Sequence, residues 1–455
     1  MKSIPALLSA LLGIGVFLFW WQWHPEALSF QEQNQLFLWT WSYLWQRLSV
    51  AGGLADWLGE FIVQFFRIEW LGALLMAALF VAMQRLGRMT FAHTRRGGSS
   101  FSSLFPSSLS FFPWLLSFLP LFLSVLPPLF FLWLMGDENV LVALPVAATL
   151  FLSAVVLLRR LRPWWWLPVL AALYWSVGTQ WTTYYRIPQH GPDLSGWDAD
   201  KWELLRQDYY IRYERWDDLL RRAKEHEVRT PFWSNSVNLA LAMTGQLADH
   251  QFDYWQSGDD ALIMPMVRDN VSNLPTMEAF WRLGMVNSCL RYASDLEESI
   301  LSARKSGRLE QRIVECLLVN GNDSIARKHQ ALLDKTLFYR GSSQGSALQS
   351  VVAAKRQLRY RDNFLYNYGE IDKMLAILFQ TNPTNTMALE YFLGQLLLKG
   401  DAQTFIGALP WAQQHGGYQV MPMAYQDAVG CMQSRQVPDT PYGRYIRRKM
   451  EGGER

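Results

Sequence analysis

The sequence predicts an all-α protein with two unlike parts. These are a transmembrane helix bundle at residues 1–181 and a soluble, tetratricopeptide-like helical domain at residues 182–455. Fifteen of the 22 tryptophans lie in the first part, together with long stretches that carry no charge. The second part is charged at ordinary density and has no apolar run of the about 20 residues that a helix needs to cross a bilayer.

Composition excludes several classes of protein. Of the 455 residues, 50% are apolar, 15% are aromatic and only 18% are charged, whereas ordinary soluble proteins have about 25% charged residues. These values exclude a disordered chain, a coiled coil and a small disulfide-stabilised scaffold. The net charge of +3 is too small to indicate nucleic-acid binding, so we expect no nucleic-acid partner.

Five apolar stretches in the first part predict about five spans. They are Ile4–Trp23, Trp70–Met83, Phe111–Met135, Val140–Leu158 and Trp164–Trp181. The first is interpreted as a retained helix and not as a signal peptide, because it ends in a tryptophan cluster without a small-residue cleavage site.

The third stretch contains a proline every seven residues. These are Pro106, Pro113, Pro120 and Pro127. An interior proline removes a backbone hydrogen bond and kinks a helix, so the spacing predicts one bent helix. The alternative is a re-entrant segment lining a cavity, which would move the second part of the chain to the other side of the membrane.

The basic residues of the short loops set the expected orientation. They are Lys2, Arg85, Arg88, Arg95, Arg96, Arg159, Arg160 and Arg162, and they alternate with loops richer in acidic residues. The pattern predicts an inner-membrane protein with a cytoplasmic N-terminus. Five crossings then place residues 182–455 in the periplasm.

The first external loop is predicted to hold two amphipathic helices within residues 28–66, separated at Gly52-Gly53. We expect them to cover the ends of the bundle; alternatively they lie in the outer headgroup layer. Polar side chains such as Glu32 and Glu60 are expected off the apolar stripe. The polar run Gln31–Gln35 is also suited to holding a metal or a substrate headgroup.

The second part is predicted to consist of helix pairs. Apolar helices stop at Gly245, Gly321 and Gly400, and each stop leads into a polar helix start. This pattern favours a tetratricopeptide-like solenoid, with an irregular helical domain as the alternative. Cys289 and Cys316 lie on apolar helix faces, which favours buried thiols over a disulfide. No nucleotide-binding, hydrolase or zinc motif is present in the sequence.

Two stretches of the chain carry a resemblance. One is Glu32–Phe37, followed by Gly52–Trp57 and Gln64–Phe66; the other is Asn238–Ala242 with Gly245–Asp249 and Phe252–Gln256. Together they resemble a family of uncharacterised multi-pass membrane proteins of Bacteroides-type bacteria. The resemblance implies a membrane half and a helical-repeat half in a two-membrane bacterium. It transfers no activity and no catalytic residues.

Two functions are compatible with these features. The favoured one is a scaffold or envelope-assembly protein that contacts the lipid bilayer and presents its helical repeats to a protein partner, without enzymatic activity or a cofactor. The alternative is a membrane transferase, because the first loop resembles that of lipid-linked-sugar glycosyltransferases, which carry an acidic residue there. That resemblance implies Glu32, or less well Glu26, as general base or ligand of a divalent metal.

Overall fold

The computed structural model describes residues 3–93, 120–161, 165–177, 197–300, 304–342, 345–359, 368–415, 418, 420–434 and 437–451. Every regular element within these ranges is a helix, which confirms the all-α prediction. The chain forms two compact units, one of residues 1–202 with 335–338 and one of residues 203–334 with 339–455. The boundary predicted at residue 181 lies outside the described residues.

The first unit contains helices of very different length. They are α1 Ser3–Leu18, α2 Pro25–Gln33, α3 Trp41–Leu48, α4 Gly53–Val63, α5 Glu69–His93, α6 Leu126–Leu134, α7 Ala143–Leu158 and α8 Trp166–Val177. A π-helical turn at Phe19–Trp23 follows α1, and a 3-10 turn at Gln64–Arg67 precedes α5. Because the segment between α1 and α5 folds as three short helices, α2 to α4, the prediction of two helices there is wrong.

A hydrogen-bonded chain of polar side chains joins the long apolar helices. Ser9 Oγ on α1 donates to Gln84 Oε1 on α5 at 2.7 Å, and Gln84 Nε2 donates to Ser124 Oγ at 2.9 Å. Gly13, one turn further along α1, faces Val81 on α5, so the two helices run antiparallel. Small and polar residues at such a contact allow apolar helices to pack closely.

Contacts at the two ends of α7 fix its direction within the first unit. At its C-terminal end the Arg159 guanidinium donates to the carbonyl oxygen of Thr90, near the end of α5. At its N-terminal end Gln31 Nε2 donates to the carbonyl oxygen of Val140 at 2.9 Å, and Gly59 lies against Ala143. The C-terminal ends of α5 and α7 therefore lie on one side of this unit, and α2 and α4 lie on the other.

Two helices among the described residues are long and apolar enough to cross a membrane, Ile4–Trp23 and Glu69–Phe91. The other three expected spans contain shorter apolar helices at Pro120–Leu134, Ala143–Leu158 and Trp166–Trp175. Parts of the third and fifth expected spans, residues 111–119 and 178–181, lie outside the described residues. Length and composition thus support two of the five expected spans.

The described part of the proline-rich third stretch, Pro120–Leu134, is an apolar helix with an irregular turn in it. It is helical from Pro120, is interrupted at Ser124–Val125, and resumes as α6. Pro127 lies in the first turn of α6, where a missing N–H costs no helical hydrogen bond. Pro106 and Pro113 lie outside the described residues.

From residue 199 onward the helices are shorter and more polar. They are α9 Ala199–Arg212, α10 Trp216–Glu225, α11 Pro231–Met243, α12 Leu247–His250, α13 Leu274–Leu283, α14 Val286–Glu298, α15 Gly307–Val319, α16 Asp323–Leu333, α17 Ser346–Leu358, α18 Ile371–Thr381, α19 Thr386–Lys399, α20 Ala402–His415, α21 Met423–Gln433 and α22 Pro441–Met450.

The three predicted glycine stops are confirmed. Gly245, Gly321 and Gly400 have φ of +68°, +78° and +77°, values that glycine adopts without strain. After each of them, the next N–H bonds back to the carbonyl of the helix's last turn at 2.7–2.9 Å, which closes a Schellman motif. Gly284 makes a fourth such stop. The stops recur at unequal intervals, and the described helices show no tetratricopeptide repeat.

An ionic network is buried in the second unit. Arg308 Nη1 contacts both carboxylate oxygens of Asp208 at 2.8 and 2.9 Å, and Arg312 donates to Glu278 at 2.8 Å and to Glu315 at 2.5 Å. Burial alone would raise the pKa of Glu278. The guanidinium charges of Arg312 and Arg308 outweigh burial and lower that pKa to about 2.

Candidate functional site

The most unusual local feature of the first unit is the burial of α2. Every residue from Glu26 to Gln35 is buried, although six of these ten side chains are Glu, Gln or Asn. Glu26 is 1% exposed and Glu32 is 4% exposed. The expectation of an outward-facing polar surface at Glu32 is therefore wrong, because α2 is enclosed by α4, α5 and the turns beside it.

Local sequence explains why α2 begins and ends where it does. Pro25 occupies the first turn, where its fixed φ suits a helix start and its missing N–H is not needed. At the other end Asn34 Nδ2 donates to the carbonyl oxygen of Phe30 at 2.9 Å, which ties the side chain to the last turn. The single helix that was predicted before Gly52-Gly53 is consequently split into α2 and α3.

His24 and Glu26 form a pair at the start of α2. His24 Nδ1 lies 2.9 Å from Glu26 Oε1, and the imidazole ring packs against Trp197 and Phe19 with ring centres 4.5 and 4.8 Å apart. The π-helical turn, which comes directly before His24, sets this arrangement. Such turns are frequent at functional sites. The pair places a partly exposed imidazole beside a buried carboxylate.

Two glutamines continue the polar interior at the other end of α2. Gln35 Nε2 donates to Gln31 Oε1 at 2.8 Å, and Gln31 Nε2 donates to the Val140 carbonyl. Gln35 Oε1 is buried, and no hydrogen-bond partner for it occurs in the part of the chain that the structure describes. Buried polar atoms nearly always have partners, so this oxygen marks a position where a donor is expected.

A charge pair between a half-buried guanidinium and a buried carboxylate lies beside α2, between α3 and α4. Arg47 Nη2 contacts Glu60 Oε1 at 2.7 Å, and the Tyr43 hydroxyl also donates to Glu60. Burial, together with the Glu60 charge, raises the pKa of Tyr43. Glu60 is 1% exposed, so the prediction that it lies on a solvated face is wrong: α3 folds over it and supplies the neutralising guanidinium.

The two predicted acidic residues do not form a catalytic pair. Glu26 and Glu32 are six residues apart on one helix, which separates them by about 9 Å along the axis and turns them toward different sides. Within the described residues, no cluster of three or more His, Cys, Asp or Glu side chains could hold a metal ion. The site therefore offers separate buried carboxylates, each with its own surroundings.

Sequence reasoning missed His24, Arg47 and Tyr43 as members of this polar interior. One signal for Tyr43 and Arg47 was available: they are four residues apart, so they share a helix face. No sequence signal could have shown that this face lies over Glu60, because that contact joins two separate helices.

Comparison with known proteins identifies the family. A family model described as a family of unknown function, DUF6057, matches residues 1–187 and 179–451. No curated protein and no solved structure matches the chain. The chain belongs to DUF6057, and the two matched segments together cover nearly its whole length.

Proposed function

For this DUF6057 chain we propose an integral inner-membrane protein that crosses the bilayer several times and carries a periplasmic helical domain as a scaffold for envelope assembly. One observation carries the membrane part of the proposal. On α1, Leu7, Leu11 and Ile14 are 58–60% exposed, and most of the other large exposed apolar side chains among the described residues also belong to the first unit. A surface of this kind is covered by lipid or by another protein.

The distribution of exposed residues favours lipid as the cover. Exposed apolar side chains occur on α1, α5, α6, α7 and α8, which are the helices of the five apolar stretches. The short helix α3 also exposes Trp41 and Trp45, and tryptophan is the residue that membrane interfaces enrich most clearly. The exposed apolar residues of the second unit are instead scattered over its helices and loops.

Charge supplies the orientation in this proposal. Arg85 and Arg88 lie in the last turns of α5, and Arg159 and Arg160 follow α7. The contact of Arg159 with Thr90 brings these basic residues to one end of the first unit. Under the positive-inside rule that end faces the cytoplasm, so α2 and α4 lie on the periplasmic side, and so does the chain after a fifth crossing.

A reporter fusion tests the orientation. A reporter enzyme that works only in the periplasm, fused after Arg455, should be active, and a cytoplasm-only reporter at the same position should be silent. The opposite result would contradict five crossings.

The scaffold role is tested by a membrane-impermeant crosslinker applied to the full-length protein in cells. We expect a discrete adduct with another envelope protein. Its absence at normal protein level would contradict that role.

A second function is favoured by the buried polar interior around α2. A carboxylate that is buried at the membrane boundary can act as a general base toward a lipid-linked substrate, and Glu32 remains the first candidate for a transferase. The test is Glu32→Gln, with Glu26→Gln beside it, in an assay for sugar transfer from lipid-phosphate donors with and without a divalent metal.

The control for this test must be chosen from the structure. Glu60 is unsuitable, because it is buried against Arg47. Asp56 is half-exposed in the first turn of α4, so Asp56→Asn removes a charge from the same loop and keeps the size of the side chain. Loss of transfer in Glu32→Gln, with unchanged protein level and melting temperature, would favour the transferase. Absence of transfer in the unmodified protein, or equal transfer in all variants, would remove it.

A further inference from the structure

Helices α14 and α15 form an antiparallel hairpin whose ends are tied by side chains. Asn320 Nδ2 donates to Asn287 Oδ1 at 2.8 Å at one end, and the backbone N–H of Ser306 donates to Glu297 Oε1 at 3.4 Å at the other. In this alignment, position 289 on α14 lies opposite position 316 on α15. Both positions are cysteines.

The two thiols lie together in the core of the second unit. Cys289 and Cys316 are each 0% exposed and belong to one cluster of buried apolar residues. Burial raises the pKa of Cys316 well above its ordinary value, and a hydrogen bond with Cys289 is the next largest cause. The thiols are not bonded to each other in the structure.

Cys431, the third cysteine, differs from this pair. It is half-buried on α21, and its Sγ lies 3.7 Å from the Thr440 hydroxyl. Two of the three cysteines therefore face each other across a hairpin, and one is left over. One facing pair and one remaining thiol account for the three cysteines, so no bond to another chain is needed.

We propose that Cys289 and Cys316 form a disulfide that joins α14 to α15 when the second unit folds in an oxidising compartment. This inference rests on the periplasmic location proposed above, because protein disulfides persist in the periplasm and are rare in the cytosol. The bond closes a loop that contains most of α14, the link between the helices and most of α15, and it thereby restrains the unfolded chain.

The oxidant is a second disulfide, either that of a protein dithiol oxidase or oxidised glutathione. One cysteine loses its proton and attacks a sulfur of that disulfide, which forms a mixed disulfide and expels one thiolate. The other cysteine, after losing its proton, attacks the linked cysteine sulfur and expels the second thiolate. Two electrons and two protons pass to the oxidant, which leaves as two thiols.

Burial determines when this exchange occurs. In the folded hairpin neither thiol is accessible to an oxidant, and burial disfavours the reactive thiolate of Cys316. Oxidation therefore occurs while the exported chain folds, before the hairpin packs into the core. Once formed, the bond is shielded from reductants by the same core.

Thiol counting tests the inference on the full-length protein. Cells are quenched with acid, the protein is denatured in SDS, and free thiols are labelled with a maleimide polymer that retards the band once for each thiol. We expect one adduct without reduction, from Cys431, and three after reduction. Cys316→Ser should give two adducts in both conditions, whether or not this variant folds, because Cys289 loses its partner.

A second arm separates this inference from the location on which it rests. Purified, reduced, full-length protein is unfolded and refolded in detergent with oxidised and reduced glutathione. The two arms are compared without reduction. Three adducts in the protein from cells, but one adduct in the refolded protein, would support the cysteine pair and contradict the periplasmic location. Three adducts in both arms, without reduction, would overturn the disulfide itself.

Discussion

Replacing Glu278 by glutamine should destabilise the second unit strongly, because it removes the charge that neutralises buried Arg312. Gln keeps the size and part of the hydrogen bonding of Glu278, so the change isolates the charge. A shift of the Glu278 pKa from its ordinary value of 4.5 to about 2 corresponds to about 3 kcal/mol of folding free energy at pH 7. The removal of one partner from a buried ion pair is expected to cost a similar amount.

The pH dependence follows from the direction of that shift. Because the folded-state pKa is lower than the unfolded one, the stabilisation is fully present above about pH 5. It is lost as the pH falls from there through the folded value near 2. The difference between the unmodified protein and Glu278→Gln should therefore shrink from about 3 kcal/mol at pH 7 to about 1 kcal/mol at pH 3.

Cys289 and Cys316 provide a probe for this measurement in the full-length, reduced protein in detergent. Both thiols are fully buried in the second unit, so their labelling reports its unfolding in urea. A Cys431→Ser background removes the third thiol. The matched control is Glu227→Gln, which breaks an exposed pair with Arg229 and should cost less than about 0.5 kcal/mol. Equal losses in the two variants, or a loss at Glu278 that does not change with pH, would refute the reasoning.

Two further substitutions test other parts of the fold. Arg47→Met leaves the Glu60 carboxylate buried without this guanidinium, and should cost about 3 kcal/mol, measured as a lower melting temperature of the detergent-extracted protein; an unchanged melting temperature would contradict the role of this ion pair. Gly400→Ala places a side chain at φ +77° and should cost about 1 kcal/mol of stability in the thiol-labelling assay. Gly407→Ala lies inside α20 with open space around it and should stabilise the protein by up to about 1 kcal/mol. Equal effects of the two changes would argue against strain at Gly400.

Features that depend on neighbouring residues in the chain could be predicted from the sequence. The stops at Gly245, Gly321 and Gly400 follow from the ability of glycine to adopt positive φ, which needs no tertiary contact. Gly284 ends a helix in the same way, but the sequence around it matches the pattern of the other three stops less well, so this stop was not predicted. The burial of Cys289 and Cys316 likewise follows from the apolar periodicity of their helices.

Features that depend on what covers a helix face could not be predicted. Periodicity placed Glu32 and Glu60 off an apolar stripe, which normally means contact with water. In the structure, α2 is enclosed on all sides and α3 folds over Glu60, so both carboxylates are buried. A short helix can be polar and buried at once, because neighbouring side chains satisfy its polar groups. Sequence spacing contains no information about those neighbours.

The irregular turn before α6 is likewise a feature that residue spacing did not locate. A seven-residue proline spacing indicates where a helix can kink, but not which proline begins a new helix. Ser124, in the irregular turn, accepts a hydrogen bond from Gln84 on another helix, and residue spacing does not reveal such a contact. Length and composition support two of the five expected spans, because the described helices of the other three have fewer than 18 residues.

Labelling at the two ends of α7 tests the central claim most directly, namely that the first unit crosses a bilayer with its basic end in the cytoplasm. Asn139 and Arg160 are both exposed, and they lie before and after this helix. In a full-length background without native cysteines, Asn139→Cys should react with a membrane-impermeant maleimide on intact spheroplasts, and Arg160→Cys should react only after permeabilisation. Labelling of both positions from outside, or of position 160 alone, would contradict the account.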